Sequence, residues 1–372
     1  MLMKKIIILF LFAALLSSAV SGCKKPPAHT AETTQQAALD AADELFCEKG
    51  ISQAETFFET GEASCPILHS YGPYPSYYLD SSAPLLSFWT DAQANKDCEL
   101  ALLFRRPDGA VSYQALSMKD GTAYARFLRL EQNSDGTITA SGFERYPMRE
   151  WTLTQNGNFY YRIFPAGDKH YADFQLIRTS VPDETLFAAL ARYVLPIDYY
   201  YANLLITDWE APDFTGVSFN DLFDRLTALQ TGAQPDVSRY SQDESGHYRI
   251  PAAEFEAAVL PFFDLTPEAL REASGFDAET ESYPWRPIET NDMERYDYPA
   301  IEPYITQIRE NTDGTKTLLV SCLSTDVPTD CLFSHELTVR DTSGGGFQFV
   351  SNRVTFQTEL GLPNEAPRLT AK

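Results

Sequence analysis

The sequence lacks the residue patterns that mark common catalytic sites. It contains no G-x-S-x-G, H-E-x-x-H or G-x-G-x-x-G motif and no P-loop. Its five histidines are scattered, and no C-x-x-C or mixed Cys/His spacing is typical of a zinc site. We therefore expect a protein that catalyses no reaction and holds no metal ion or other cofactor.

Positive charge is also scarce. The chain has 29 Lys and Arg against 52 Asp and Glu, a net charge of −23. Such a chain is repelled by nucleic acids and by anionic polymers unless a local basic patch overcomes the repulsion. The longest basic run after the first residues is Lys24-Lys25. We expect no nucleic-acid partner.

Long hydrophobic runs are limited to the start of the chain. Lys4 and Lys5 precede an apolar run over residues 6–16, and small residues lead to Cys23. The run is far shorter than the ~20 residues of a membrane-spanning helix and is typical of a signal peptide. Val20-Ser21-Gly22 before Cys23 forms a lipobox. We predict a lipoprotein signal over 1–22, a lipid on Cys23 and export to the outer face of the cell membrane; a plain secretory peptide is the alternative.

Residues 23–36 are polar and unpatterned, which predicts a flexible tether. Helices are expected over 37–48 and 52–59, with Gly50 between them. From residue 99 the apolar pattern changes to a period of two, and Asp-Gly and Asn-Gly pairs separate the apolar segments. This pattern predicts an antiparallel meander with strands at 99–105, 111–116, 123–130, 137–144, 150–154 and 159–164.

The second half repeats the order of helices followed by strands. Helices are predicted near 181–190, 218–229, 251–260 and 266–274, and strands at 304–310, 315–323, 332–340 and 347–356. The fold class is therefore α+β, with antiparallel β-meanders and short flanking helices in two β-rich domains, 37–205 and 206–372. Residues 133–137 and 311–315 share an Asn-x-Asp-Gly-Thr turn. Either the domains are related or two meanders share hairpin chemistry.

The sequence contains six cysteines, one of which, Cys23, is the predicted lipidation site. Cys322 and Cys331 flank a loop between two predicted strands, which suits a disulfide across a hairpin in an oxidising compartment. The pairing of Cys47, Cys65 and Cys98 stays open.

The acid-rich middle holds the candidate binding residues. Residues 205–300 contain 20 Asp and Glu, six Arg and no Lys. Paired carboxylates beside an aromatic ring suit a glycosidase, and carboxylates also bind Ca²⁺. A solvated acidic loop with aromatic rings packed in the interior is the alternative. The candidate binding residues are Asp208, Trp209, Glu210, Asp213, Tyr283 and Trp285.

Two stretches resemble a known family. The first runs from His247 through Glu256, with 262–264 and 270–271 after it; the second runs over 336–340, 347 and 351–354. Together they are similar to an uncharacterised family of exported lipoproteins from clostridia and other Firmicutes. The resemblance implies a Gram-positive cell-surface location and brings no known activity or catalytic residues.

These observations favour a surface lipoprotein that binds a glycan or a surface-protein partner through aromatic and acidic loops. A glycan hydrolase that uses carboxylates near Trp209 is one alternative. A solute-binding lipoprotein of a transporter is another, although the β-α alternation usual for that class is missing here.

Overall fold

A computed structural model describes residues 31–70, 76–105, 110–163, 174–179, 182–288, 299–363 and 367–369. The chain divides into two compact units, Met1–Glu48 and Lys49–Lys372, and every sheet discussed below lies in the second unit. The predicted signal segment and Cys23 lie outside the described residues.

Helix α1 covers Ala31–Thr60. It replaces the end of the predicted tether and joins the two predicted helices into one, so Gly50 does not end a helix. A Cβ at Gly50 would lie 2.6 Å from Cδ2 of Leu128 and 2.8 Å from Cδ1 of Tyr113. The glycine therefore allows a close approach between the helix and the neighbouring strands.

Eight strands form a closed barrel in the order β1-β2-β8-β7-β6-β5-β4-β3. The pairs β1–β3 and β2–β8 are parallel, and all other pairs are antiparallel. The meander predicted from residue 99 onwards is confirmed, except that β6 joins two predicted strands. The strands are β1 (Ile67–Ser70), β2 (Ser76–Leu79), β3 (Cys98–Arg105), β4 (Val111–Lys119), β5 (Thr122–Gln132), β6 (Ile138–Leu153), β7 (Asn158–Ile163) and β8 (Phe174–Arg178).

The barrel interior is filled by side chains. One buried cluster takes residues from all eight strands, and such residues can meet only inside a closed barrel. Helix α2 (Ala83–Gln93) adds Leu85 and Phe88 to the same cluster. The barrel is therefore a packed core.

The second body has helices α3 to α6, a five-stranded sheet in the order β12-β13-β14-β15-β9 and a two-stranded sheet, β10-β11. All pairs in both sheets are antiparallel. The four long strands match the predicted ones within a few residues. The elements are α3 (Glu184–Tyr193), β9 (Trp209–Glu210), α4 (Phe219–Thr231), β10 (Tyr248–Pro251), α5 (Ala252–Val259), α6 (Pro267–Ala273), β11 (Ser282–Trp285), β12 (Ile301–Glu310), β13 (Lys316–Ser324), β14 (Phe333–Asp341) and β15 (Phe347–Gln357).

The predicted boundary at 205/206 falls inside the core of this second body. Leu190, Val194 and Leu204 are buried in the same cluster as Phe333 and Phe349 of the five-stranded sheet. Because these apolar side chains complete the second core, residues from α3 onwards pack with the helices and strands that follow them. The mixed α+β fold class is confirmed, and the division into two domains remains a prediction.

The barrel packs on the five-stranded sheet through a small buried cluster. Tyr160 and Leu176 of the barrel contact Leu323 of β13. Beside them Arg178 lies 3.7 Å from a carboxylate oxygen of Glu302, and both side chains are buried. Apolar burial and a buried ion pair thus join the two bodies into one unit.

The repeated turns at 133–137 and 311–315 have the same geometry. In each, the first Asn N–H donates to the carbonyl of the last Thr at 2.8 Å, and the Asp carboxylate accepts that Thr N–H at 3.0 Å. Yet the first turn belongs to a closed barrel and the second to an open sheet. The difference in topology favours shared hairpin chemistry over two related domains.

Candidate functional site

The two-residue strand β9 occupies only part of one edge of β15. Its residues pair with Ser351 and Asn352, and the next turn donates from Ala211 N to Val350 O at 2.9 Å. On the other side of β9, Asp208 Oδ1 accepts the N–H of Val354 at 2.7 Å. The carboxylate of Asp208, just before β9 begins, therefore accepts a main-chain N–H that a longer strand would otherwise pair.

An open groove of about 570 Å³ lies along this exposed part of β15, and we call it the edge groove. Its volume falls in the range of small-ligand sites, about 300–1,000 Å³. Phe356, one of its lining residues, is 49% exposed. The groove combines an exposed ring, one carboxylate and strand backbone. Its lining residues are Ile206, Asp208, Val354, Thr355, Phe356, Gln357 and Leu362.

A buried chain of hydrogen bonds holds the backbone before β9 in place. Asn352 Nδ2 donates to Thr207 O at 2.9 Å, so its Oδ1 accepts from Nδ1 of His335, 2.6 Å away. The other ring nitrogen of His335, Nε2, then accepts from the Tyr199 hydroxyl at 2.8 Å. His335 is a neutral Nδ1–H tautomer in this arrangement, and burial lowers its pKa to about 4.

Cys322 extends the same chain into the core. Its thiol also hydrogen-bonds the Tyr199 hydroxyl, and burial raises the pKa of the thiol far above its usual value. Because the thiol and His335 are both fully buried, they are inaccessible to a substrate. The chain therefore positions Thr207, and with it the adjoining Asp208, and does not form a nucleophilic site.

The acidic residues selected from the sequence lie on the surface near the groove. Glu210 and Asp213 are exposed and are joined by a tight turn in which Asp213 N donates to Glu210 O at 2.9 Å. Asp213 Oδ1 accepts the N–H of Thr215 at 2.9 Å, and hydrogen bonds from Thr215 lower the pKa of the carboxyl. The carboxylates of Asp208 and Asp213 are thus each engaged by a main-chain donor.

The aromatic residues selected from the sequence are not available for binding. Trp209 is 6% exposed, and its Nε1 donates to Leu204 O at 2.8 Å. Its ring packs on Phe214, with 5.3 Å between centroids. The alternation of side chains along β9 turns Trp209 inward and leaves Glu210 outside, so Trp209 fits the alternative in which the aromatic rings pack in the interior.

Tyr283 and Trp285 lie in a different sheet from Trp209. Both are on β11 and are buried. Tyr283 stacks on Phe255 with 4.2 Å between centroids, and Trp285 meets Phe223 edge to face. These rings are core residues of the second body, so their predicted role in binding is corrected to packing.

A protein family of unknown function covers both bodies described above. A model for a family of unknown function, DUF6070, matches residues 31–368. The chain belongs to this family. No curated protein and no solved structure matched the chain. The resemblance to an uncharacterised family is confirmed, whereas the lipid anchor, export and a Firmicutes source remain predictions.

Two features are absent from the described part of the chain. There, no helix is both long and apolar enough to cross a membrane. No group of three or more His, Cys, Asp and Glu side chains is arranged to hold a metal ion among those residues.

The predicted disulfide between Cys322 and Cys331 does not form in this structure. Both are free thiols, as are Cys65 and Cys98. Cys331 Sγ lies 3.2 Å from Ser321 Oγ. Because neighbouring side chains of a strand point to opposite faces, contact with Ser321 places Cys331 on the face away from Cys322.

His335, which supports the groove, and Phe356, which lines it, were not among the candidate residues selected from the sequence. His335 had a usable signal, since it alternates with the core residues Phe333, Leu337 and Val339 along one strand. Phe356 had none, because its apolar character alone predicts burial. Its exposure depends on how short β9 is.

Proposed function

We propose that this chain is an exported lipoprotein that binds a glycan or a surface-protein partner without catalysing a reaction. A lipid on Cys23 would hold it at the outer face of a cell membrane. The edge groove supplies the binding surface. The observation that carries the proposal is the exposed Phe356, which lies on the part of β15 that β9 does not cover.

Aromatic rings contribute contact area at small entropic cost, which suits both sugar rings and peptide side chains. The groove adds hydrogen-bonding groups from Thr355, Gln357 and Asp208 around that ring. Since the buried hydrogen-bond chain fixes the backbone next to Asp208, the surface is formed before a ligand arrives, and preorganisation favours affinity.

The hydrolase alternative is not part of this proposal. A glycosidase needs two carboxyl groups that face one cleft about 5–9 Å apart. Asp208 and Asp213 instead accept main-chain N–H groups, and the indole that would stack on a sugar is buried. No observation favours the transporter alternative either, because the paired strands of the second body are antiparallel.

Thermal unfolding in the presence of wall and dietary glycans and of peptides from surface proteins tests the binding proposal. A ligand at 100 times its Kd adds about 2.7 kcal/mol to the stability, or several degrees in a protein of this size. We expect Phe356→Ser to remove the shift. Leu360→Ser is the matched control, since Leu360 is 53% exposed but does not line the groove. Equal loss in both variants, or in neither, would contradict the proposal.

The anchor is tested separately in a bacterial host. We expect fatty-acid label on the wild-type chain and none on Cys23→Ala, with the variant released from the membrane fraction. Label that persists on Cys23→Ala would show that the lipid is attached elsewhere or that the anchor assignment is mistaken.

A further inference from the structure

Arg368 lies near the end of the described chain and is one of the most buried charged residues in the second body. Its side chain is 2% exposed. It inserts between Asp221 and Asp224 of α4, which are 1% and 2% exposed. The backbone N–H of Arg368 also donates to both carboxylate oxygens of Asp221, at 3.3 and 3.2 Å.

All five N–H groups of the guanidinium have an acceptor. Nε donates to Asp221 Oδ1 at 3.1 Å. Nη1 donates to Asp224 Oδ2 at 2.7 Å and to Arg286 O at 2.9 Å. Nη2 donates to Asp224 Oδ1 at 3.1 Å and to Asp221 O. A guanidinium has five N–H donors in a fixed planar fork, so this set of acceptors satisfies the group completely.

The acceptors are positioned independently of Arg368. Asp221 and Asp224 are three residues apart on α4 and share one face of the helix. Ser218 Oγ donates to Asp221 Oδ2 at 2.8 Å. The N–H of Ser218 donates to Asn203 Oδ1 at 3.0 Å, and Ser218 caps no helix N–H with its own side chain.

The acceptor set distinguishes a guanidinium from an ammonium. Asp224 binds two nitrogens of the fork side by side, the bidentate geometry that arginine makes and lysine does not. Lysine has three donors on one atom and would leave several of these buried oxygens unpaired. The two buried carboxyl groups face one cation, so removal of Arg368 would leave both of them without that cation.

We propose that Asp221, Asp224 and the carbonyl oxygens of Asp221 and Arg286 form a guanidinium-binding pocket, which Arg368 fills in cis and an alkylguanidinium from solution fills when Arg368 is removed. The ligand class is a monosubstituted guanidinium, as in an arginine side chain.

Chemical rescue of the full chain carrying Arg368→Ala tests this pocket. The probe is N-ethylguanidinium at millimolar concentration, which restores the atoms that the substitution deletes. We expect a saturable rise in melting temperature, about 5–10 °C at 100 times its Kd. The wild-type protein should show no such rise, because Arg368 already fills the pocket.

Three controls separate binding from a general salt effect. Ethylammonium and KCl at the same ionic strength should fail to raise the melting temperature of Arg368→Ala. The double variant Asp224→Asn with Arg368→Ala should lose most of the response to N-ethylguanidinium. Equal responses to ethylguanidinium and ethylammonium, or no response beyond that of the wild type, would overturn the proposal.

If Arg368→Ala is unfolded without ligand, the same titration is read as recovery of near-ultraviolet circular dichroism. Recovery with N-ethylguanidinium and none with ethylammonium supports the pocket. The pocket is contradicted if neither compound restores the signal while Arg368→Lys stays folded and does not respond to N-ethylguanidinium. In that case an ammonium would serve as well as the guanidinium.

Discussion

The two acidic regions at the start of the second body have similar compositions but differ in burial and in hydrogen-bond partners. Asp208, Glu210 and Asp213 lie on the surface around β9, whereas Asp221 and Asp224 are buried in α4. The carboxylates of Asp208 and Asp213 each accept a main-chain N–H, from Val354 and Thr215 respectively. The buried pair, with Ser218 and Arg286, holds a complete guanidinium.

The density of acidic residues in a sequence is a poor guide to which charges contribute strongly to stability. The surface group was conspicuous because its members are close together and lie next to a tryptophan. The buried pair was not, because a three-residue spacing on a helix is common and its partner is far away in sequence. Burial, which determines the energy of a charge, depends on that distant partner.

The largest effect that separates the two regions is expected for Arg368→Ala. Removing one partner from a buried ion pair leaves an uncompensated charge and costs about 3–5 kcal/mol. Urea unfolding followed by circular dichroism measures this loss. A change of less than about 1 kcal/mol would show that the buried acids are neutral or reach water.

The next effect concerns the pH dependence produced by the buried His335. Its pKa is lowered to about 4 in the folded protein, so the unfolded chain takes up the proton first as the pH falls. The contribution of neutral His335 to the free energy of unfolding is therefore fully present above about pH 6.5. This contribution, about 3 kcal/mol, is lost as the pH falls from 6.5 to 4.

The non-titrating variant His335→Gln provides the control for this pH dependence. We expect its unfolding free energy to change less than that of the wild type over the same interval. Parallel curves for the two proteins would mean that His335 does not supply the slope.

The smallest effects are expected at the surface. Asp208→Asn weakens one charge-assisted hydrogen bond to Val354 and should cost at most about 1 kcal/mol. Asp213→Asn, whose carboxylate is bound only by Thr215 in the next turn, should leave the unfolding midpoint unchanged. A larger loss for Asp213→Asn than for Asp208→Asn would reverse the ranking that the structure gives.

Sequence periodicity predicted most of the strands because successive side chains alternate and Asp-Gly and Asn-Gly turns separate the strands. It missed β1 and β2, four residues each within a segment rich in Pro, Tyr and Ser. Those two short strands pair with each other in antiparallel fashion and close the barrel by parallel pairing with β3 and β8. A parallel pair is joined by a long connection rather than a tight turn, so it leaves no hairpin signal in the sequence.

The site was harder to predict than the fold. Asp208, a candidate binding residue from the sequence, lines the groove, whereas the next residue, Trp209, is buried in the core. Burial of Arg368 could not be read from residues 361–372, which have no period. It follows from acceptors that lie more than 140 residues away in the sequence.

We propose that the protein binds its partner in the edge groove. Hydrogen–deuterium exchange tests this most directly, with and without whichever glycan or peptide raises the melting temperature. We predict slower exchange of the amides of residues 354–357, with little change in the barrel. Protection confined to the barrel or to the two-stranded sheet, with exchange in residues 354–357 unaltered, would contradict the claim.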